Sequence, residues 1–72
     1  MLELQLRGDY IELDKLLKAT GLVESGGRAR LAVAAGEVKV DGQVELRKTA
    51  KIRAGQVVGF DGQQIKVLPA GV

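Results

Sequence analysis

Residues 13–42 read LDKLLKATGLVESGGRARLAVAAGEVKVDG, and the period of the apolar residues changes inside this stretch. Leu13, Leu16 and Leu17 stand at i, i+3 and i+4, the spacing of one helical face, while Lys15 and Lys18 fall on the opposite face. Gly21 is a C-terminal stop, which predicts a first helix over about residues 13–20. Ser25 is a good N-cap for a second helix, whose alanine-rich body ends at Gly36. After Arg30 that helix is apolar nearly all round, which predicts cover on more than one side, by the first helix and by a sheet. The link between the helices is short, so they form a hairpin. Beyond Gly36 the period drops to two. Glu37-Val38-Lys39-Val40 alternates, and so does Gln43-Val44-Glu45-Leu46 after Asp41-Gly42. Asp-Gly between two alternating runs signals a two-residue hairpin, because both central residues of a type I′ turn need positive φ.

Working outward, residues 47–53 (RKTAKIR) read as a basic connection, and Ala54-Gly55 as a turn. A strand follows at residues 56–60, Asp61-Gly62 repeats the hairpin signal, and a last strand over residues 63–68 ends at Pro69. On the N-terminal side LELQL, residues 2–6, alternates as a short strand or extended entry segment before Gly8-Asp9 breaks it. No repeat, linker or low-complexity tract interrupts the 72 residues. The expected fold is a single α+β domain over residues 1–72: a two-helix hairpin packed on a small, mostly antiparallel sheet of about four to five short strands.

Composition narrows the function. Hydrophobic residues make up 46% of the chain, but only Tyr10 and Phe60 are aromatic, so the core rests on Leu, Ile, Val and Ala. With no His and no Cys, the usual general acid–base and thiol chemistries are absent, as are the ligands of a zinc site. The nine carboxylates are scattered without pairing, and a chain this short has little volume for a closed pocket. An enzyme, a bound metal and a cofactor are therefore not expected. No apolar run approaches the roughly 18 residues of a membrane span, and the N-terminal residues lack the apolar block of a secretory signal. The expected location is the cytoplasm.

The net charge of +2 conceals an uneven distribution. Residues 15–53 hold nine basic side chains (Lys15, Lys18, Arg28, Arg30, Lys39, Arg47, Lys48, Lys51, Arg53) against four acids, a surplus of five. The remainder holds two bases and five acids. Such polarity is the electrostatic footprint of a polyanion binder, although lysines opposite a leucine face also serve simply as a solvated surface. Arg28 and Arg30 lie about 160° apart around an ideal helix, so the two cannot form one patch unaided. Ser25-Gly26-Gly27 adds a second signal. Two glycines at a helix start either pack closely against the first helix or leave backbone N–H groups open where the dipole favours an anion. No Gly-rich loop with Lys-Ser/Thr is present, so a nucleotide P-loop is not supported. Phe60 is expected in the core and Tyr10 at the surface. A single exposed ring makes no platform for successive bases, so if the polyanion is a nucleic acid, the expected target is folded or double-stranded RNA read by backbone shape.

Taken in order, Leu13-Asp14-Lys15-Leu16-Leu17-Lys18, Ser25-Gly26-Gly27-Arg28-Ala29-Arg30 and Gly36-Glu37-Val38-Lys39-Val40-Asp41-Gly42 resemble the RNA-binding domain of small-subunit ribosomal protein four. Val44-Glu45-Leu46-Arg47-Lys48, Lys51-Ile52 and Ala54-Gly55-Gln56-Val57-Val58 are most similar to the small stand-alone YbcJ-like group of that family. The resemblance covers about residues 11–67. It implies an αL RNA-binding motif, two antiparallel helices on a small bent sheet. It also implies RNA contacts from Lys15 and Lys18, from Ser25, Gly26, Gly27, Arg28 and Arg30, and from Lys39, Arg47, Lys48 and Lys51. Many relatives carry Asn-Gly where this chain has Asp41-Gly42, and a neutral or acidic residue where it has Arg28. Arg53 matches no family position. Larger relatives fuse the module to pseudouridine synthases or a tyrosyl-tRNA synthetase. The expected partner is structured RNA, ribosomal RNA foremost, bound by a monomer, with no DNA and no membrane. The alternative is a protein-interaction module that docks an acidic partner through the same face.

Overall fold

The computed structural model describes residues 1–71. Strand β1 (Leu2–Gln5) and a two-residue strand β2 (Ile11–Glu12) lead directly into helix α1 (Leu13–Ala19). Helix α2 (Gly26–Ala34) completes the hairpin, and β3 (Val38–Val40), β4 (Gln43–Val44), β5 (Lys51–Ile52), β6 (Val57–Phe60) and β7 (Gln63–Leu68) follow. Five strands form one sheet in the order β1-β7-β6-β3-β4, and β2 and β5 pair as a separate antiparallel ribbon. The main sheet is antiparallel except at its edge, where β1 runs parallel to β7 with Leu2 beside Ile65 and Leu4 beside Val67.

Both Asp-Gly pairs are two-residue hairpin turns with positive φ at each residue: Asp41 at 52° and Gly42 at 84°, Asp61 at 52° and Gly62 at 75°. The two aspartates are not equivalent. Asp41 Oδ1 accepts from the Val57 N–H at 3.0 Å and Oδ2 accepts from Gln56 Nε2 at 3.3 Å, which ties the first hairpin to the start of β6. Asp41 therefore has a structural use within the fold.

Helix and sheet residues meet in one core. Leu13, Leu16 and Leu17 of α1 and Ala29, Ala32 and Val33 of α2 are fully buried with Val38, Val58, Ile65 and Val67 of the sheet. Phe60 is buried with them, as expected, and Tyr10 is half exposed. At seven residues, α1 is too short to persist alone, so its stability comes from that packing.

Three expectations need correction. Helix α2 is covered on one face only: Leu31 is 66% exposed, and Ala34 and Ala35 also lie open. Its buried residues Ala29, Ala32 and Val33 stand at i, i+3 and i+4 on one face, so apolar composition overstated the cover. Residues 47–53 are not a plain connection, since Lys51-Ile52 pairs with Ile11 and Glu12. A two-residue strand leaves no periodic signal to read. Strand β4 ends at Val44, short of the expected Leu46, which is exposed.

Candidate nucleic-acid interface

Helix α1 has no side chain capping its start. The first N–H groups of a helix lack intrahelical acceptors and need partners. Here the Leu13 N–H donates to the Ala50 carbonyl and the Asp14 N–H to the Lys48 carbonyl, both at 3.0 Å. The basic segment is thereby clamped across the start of α1, with a local turn closed by the Ala50 N–H on the Arg47 carbonyl at 3.2 Å. Arg47, Thr49, Ala50 and Lys51 line a shallow concavity there. What reads as a loop in the sequence is held by helix and ribbon together.

Asp14 links this segment to the second helix. It is buried, and its Oδ2 lies 3.5 Å from Arg30 Nε. The Arg30 side chain in turn folds back over the start of α2, where a methyl group added at Gly26 would lie 3.8 Å from Arg30 Nη2. Lys48, Asp14, Arg30 and Gly26 thus form one connected chain of contacts between the basic segment and the start of α2.

Ser25 caps α2 in the expected way, its Oγ accepting from the Arg28 N–H at 3.2 Å. Gly26 and Gly27 have ordinary negative φ, so neither is required by backbone conformation. A methyl group at Gly27 would meet only Ser25 Oγ, at 3.8 Å. Contact distances of 3.4–4 Å are ordinary packing, so the protein's own interior does not require these glycines. Of the two readings of Ser25-Gly26-Gly27, close packing against α1 is the one the geometry disfavours.

Lys15 and Lys18 lie exposed on α1 opposite its leucines. Lys15 Nζ is 2.8 Å from Glu12 Oε1, and that hydrogen bond with the carboxylate's charge raises its pKa above the ordinary lysine value. Arg47 Nε is 3.4 Å from Glu45 Oε2, which also accepts from the Arg47 N–H at 3.0 Å; these contacts hold the Glu45 carboxyl below its ordinary value. Lys48 and Lys18 carry no ion pair among the described residues.

Arg28 and Lys39 sit elsewhere. Arg28 borders a groove with Glu24, Glu37 and Asp61. Lys39 lies on the sheet face opposite buried Val38, where it neighbours Glu37 and Asp61. Three acids share the surroundings of these two cations, so the surplus of the sequence segment divides in space. Of the rest, Lys15 stands in the first turn of α1 and Lys18 in its last, Ser25, Gly26 and Gly27 at the start of α2 with Arg30 a turn further on, and Arg47, Lys48 and Lys51 in the clamped segment. Sequence reasoning set Tyr10 aside, yet Lys51 Nζ lies 5.0 Å and Arg53 Cζ 5.6 Å from its ring centroid. Only the short β2–β5 pairing brings these residues together.

A helix hairpin on a small, mostly antiparallel sheet, with a basic segment held across the start of α1, has the architecture of an αL-type module. Comparison with known proteins makes the assignment specific. The family model described as the S4 domain matches residues 4–68, and the chain belongs to that family. YbcJ of Escherichia coli (strain K12) and YbcJ of Shigella flexneri are each 52% identical over 59 residues, covering 82% of this chain and 84% of theirs. The solution structure of YbcJ from Escherichia coli matches with a TM-score of 0.73 and 48% identity, over 94% of this chain and 87% of that one. That structure is described as revealing an αL motif involved in RNA-binding.

Proposed function

We propose that this chain binds structured RNA, with ribosomal RNA the foremost candidate, as a cytoplasmic monomer whose whole activity is binding. The contacts are to phosphates. Lys15, Lys18, Arg47, Lys48 and Lys51 displace counterions, Arg30 stands over the start of α2, and the Gly26 and Gly27 amides position one phosphate at the positive end of the helix dipole. The observation that supports this reading is the run of contacts from the Lys48 carbonyl through Asp14 to Arg30, whose side chain lies beside Gly26 at the start of α2. The αL motif of YbcJ, described as involved in RNA-binding, supports it from outside the chain.

Gel-shift titration of a structured ribosomal RNA fragment at several salt concentrations tests the proposal. On a duplex, removing two phosphate contacts flattens the slope of log K against log salt by roughly 1.8. Lys48→Ala/Lys51→Ala is expected to do this, and Arg28→Ala/Lys39→Ala to change the slope far less. Binding insensitive to salt, or weakened equally by the two pairs, contradicts the assignment. A pull-down whose captured protein survives nuclease treatment would favour the acidic-partner reading instead.

A further inference from the structure

We propose that Tyr10, with Lys51 and Arg53, forms a seat for one unpaired nucleobase at the edge of the phosphate-binding face. This rests on the RNA-binding reading above and adds to it a preference for a junction between paired and unpaired RNA. The β2–β5 register sets Ile11 across from Ile52 and Glu12 across from Lys51. Extended by one residue, it sets Tyr10 across from Arg53. Tyr10, Lys51 and Arg53 therefore share the ribbon face opposite Ile52, which is buried. Both cations reach the ring from the β5 side, at 5.0 and 5.6 Å from its centroid. Tyr10 is 43% exposed.

Tyr10 also borders a groove of about 660 Å³, to which no residue of β5 contributes. Leu4, Leu6, Ile11 and Ala19 give it an apolar lining, Arg7 and Lys15 bring positive charge, and Glu3 is its one carboxylate. An apolar groove beside a ring that carries two cations over it matches the chemistry of a nucleobase and its attached phosphate. The base stacks on the ring while the cations hold the charge. Lys51 and Lys15 belong also to the phosphate face, so the seat continues that face. A single ring cannot follow a run of bases, but it suffices for one at the end of a duplex.

Tyr10 is the only tyrosine and there is no tryptophan, so intrinsic emission reports this position alone. The probes are a blunt RNA hairpin and the same hairpin with two unpaired adenosines at its 3′ end. The overhang is expected to quench Tyr10 emission and to tighten binding roughly 5-fold or more, the lower end of what base–aromatic stacking provides. Tyr10→Leu should erase that preference while leaving the blunt hairpin's affinity nearly unchanged, and Tyr10→Phe should retain it. Circular-dichroism melting confirms that each variant is folded. Equal wild-type affinity for the two hairpins without quenching overturns the seat and leaves phosphate binding standing. A preference retained in folded Tyr10→Leu also overturns it. If Tyr10→Leu does not fold, wild-type quenching and the Tyr10→Phe preference decide. Failure of both hairpins to bind overturns the RNA-binding reading along with the seat.

Discussion

Replacing Gly26 and Gly27 with alanine should move stability and RNA affinity in opposite directions. Neither glycine has positive φ, and a methyl group at either position would meet only one side-chain atom, at 3.8 Å. No strain or clash therefore opposes the substitution. Alanine is favoured over glycine by up to about 1 kcal/mol at a helix interior position, and less in the first turn. Together the two changes should stabilise the domain by about 0.5–1.5 kcal/mol. In a domain of this size that raises the melting temperature by roughly 2–12 °C. A phosphate seated on the open amides would meet the new methyl groups and lose charge-assisted hydrogen bonds worth about 1.5–3 kcal/mol each. Loss of one such bond corresponds to a drop in affinity of roughly 10- to 150-fold.

Thermal melts by circular dichroism give the first quantity, and fluorescence anisotropy with a structured RNA at fixed salt gives the second. A destabilised variant would mean that the glycines serve packing after all. A stabilised variant that binds RNA as tightly as the wild type would mean that no phosphate approaches these amides, and the assignment of Gly26 and Gly27 would fall.

Asp14→Asn should cost about 0.5–1 kcal/mol through loss of the partly exposed Arg30 pair, yet tighten RNA binding at low salt by removing the acid beneath Arg30; denaturant melts and anisotropy check the two signs. Asp41→Ala should destabilise by about 1–2 kcal/mol more than Asp61→Ala, because both lose a residue tolerant of positive φ but only Asp41 also accepts from Val57 and Gln56. RNA affinity should stay flat between about pH 6 and 9 at constant salt, since no His or Cys titrates there and Lys15, with its raised pKa, stays charged throughout. The lowered pKa of Glu45 means that its pairing with Arg47 stabilises the fold above the ordinary glutamate range and is lost as pH falls through the lowered value, so melts should show that contribution disappear only in acid.

Much of the fold was legible because its signals are local. The i, i+3, i+4 leucines of α1, Ser25 at the N-cap of α2 and the two Asp-Gly turns each declare themselves within a few residues. The parallel pairing of β1 with β7 and the β2–β5 ribbon join segments far apart in sequence, through runs too short to show a period. The candidate site divides the same way. The basic residues are countable from the chain, but which of them share a surface depends on two backbone hydrogen bonds at the start of α1. Arg28 and Lys39 enter the sequence reading as members of the basic stretch and through the family resemblance, and the fold sets them beside Glu24, Glu37 and Asp61, which the chain order does not show.

The three ion pairs among the described residues explain how a face can be basic in a chain of such modest net charge. In each pair the cation is the more exposed member: Lys15 at 71% against Glu12 at 30%, Arg30 at 56% against Asp14 at 10%, and Arg47 at 80% against Glu45 at 23%. The acids lie beneath the cations, nearer the protein, so an approaching polyanion meets positive charge first. As exposed pairs they add little to stability. Their larger effect is conformational. Lysine and arginine lose about 1.5–2 kcal/mol of rotamer freedom when fixed, and a side chain already leaning on a carboxylate has less to lose when a phosphate arrives. Exchanging each acid for its amide separates these effects. If the acids mainly oppose RNA by repulsion, Glu12→Gln and Glu45→Gln should tighten binding as Asp14→Asn is expected to. If ordering the cations matters more, those two substitutions will weaken binding despite the increase in positive charge, and the loss will persist at high salt, where repulsion is screened.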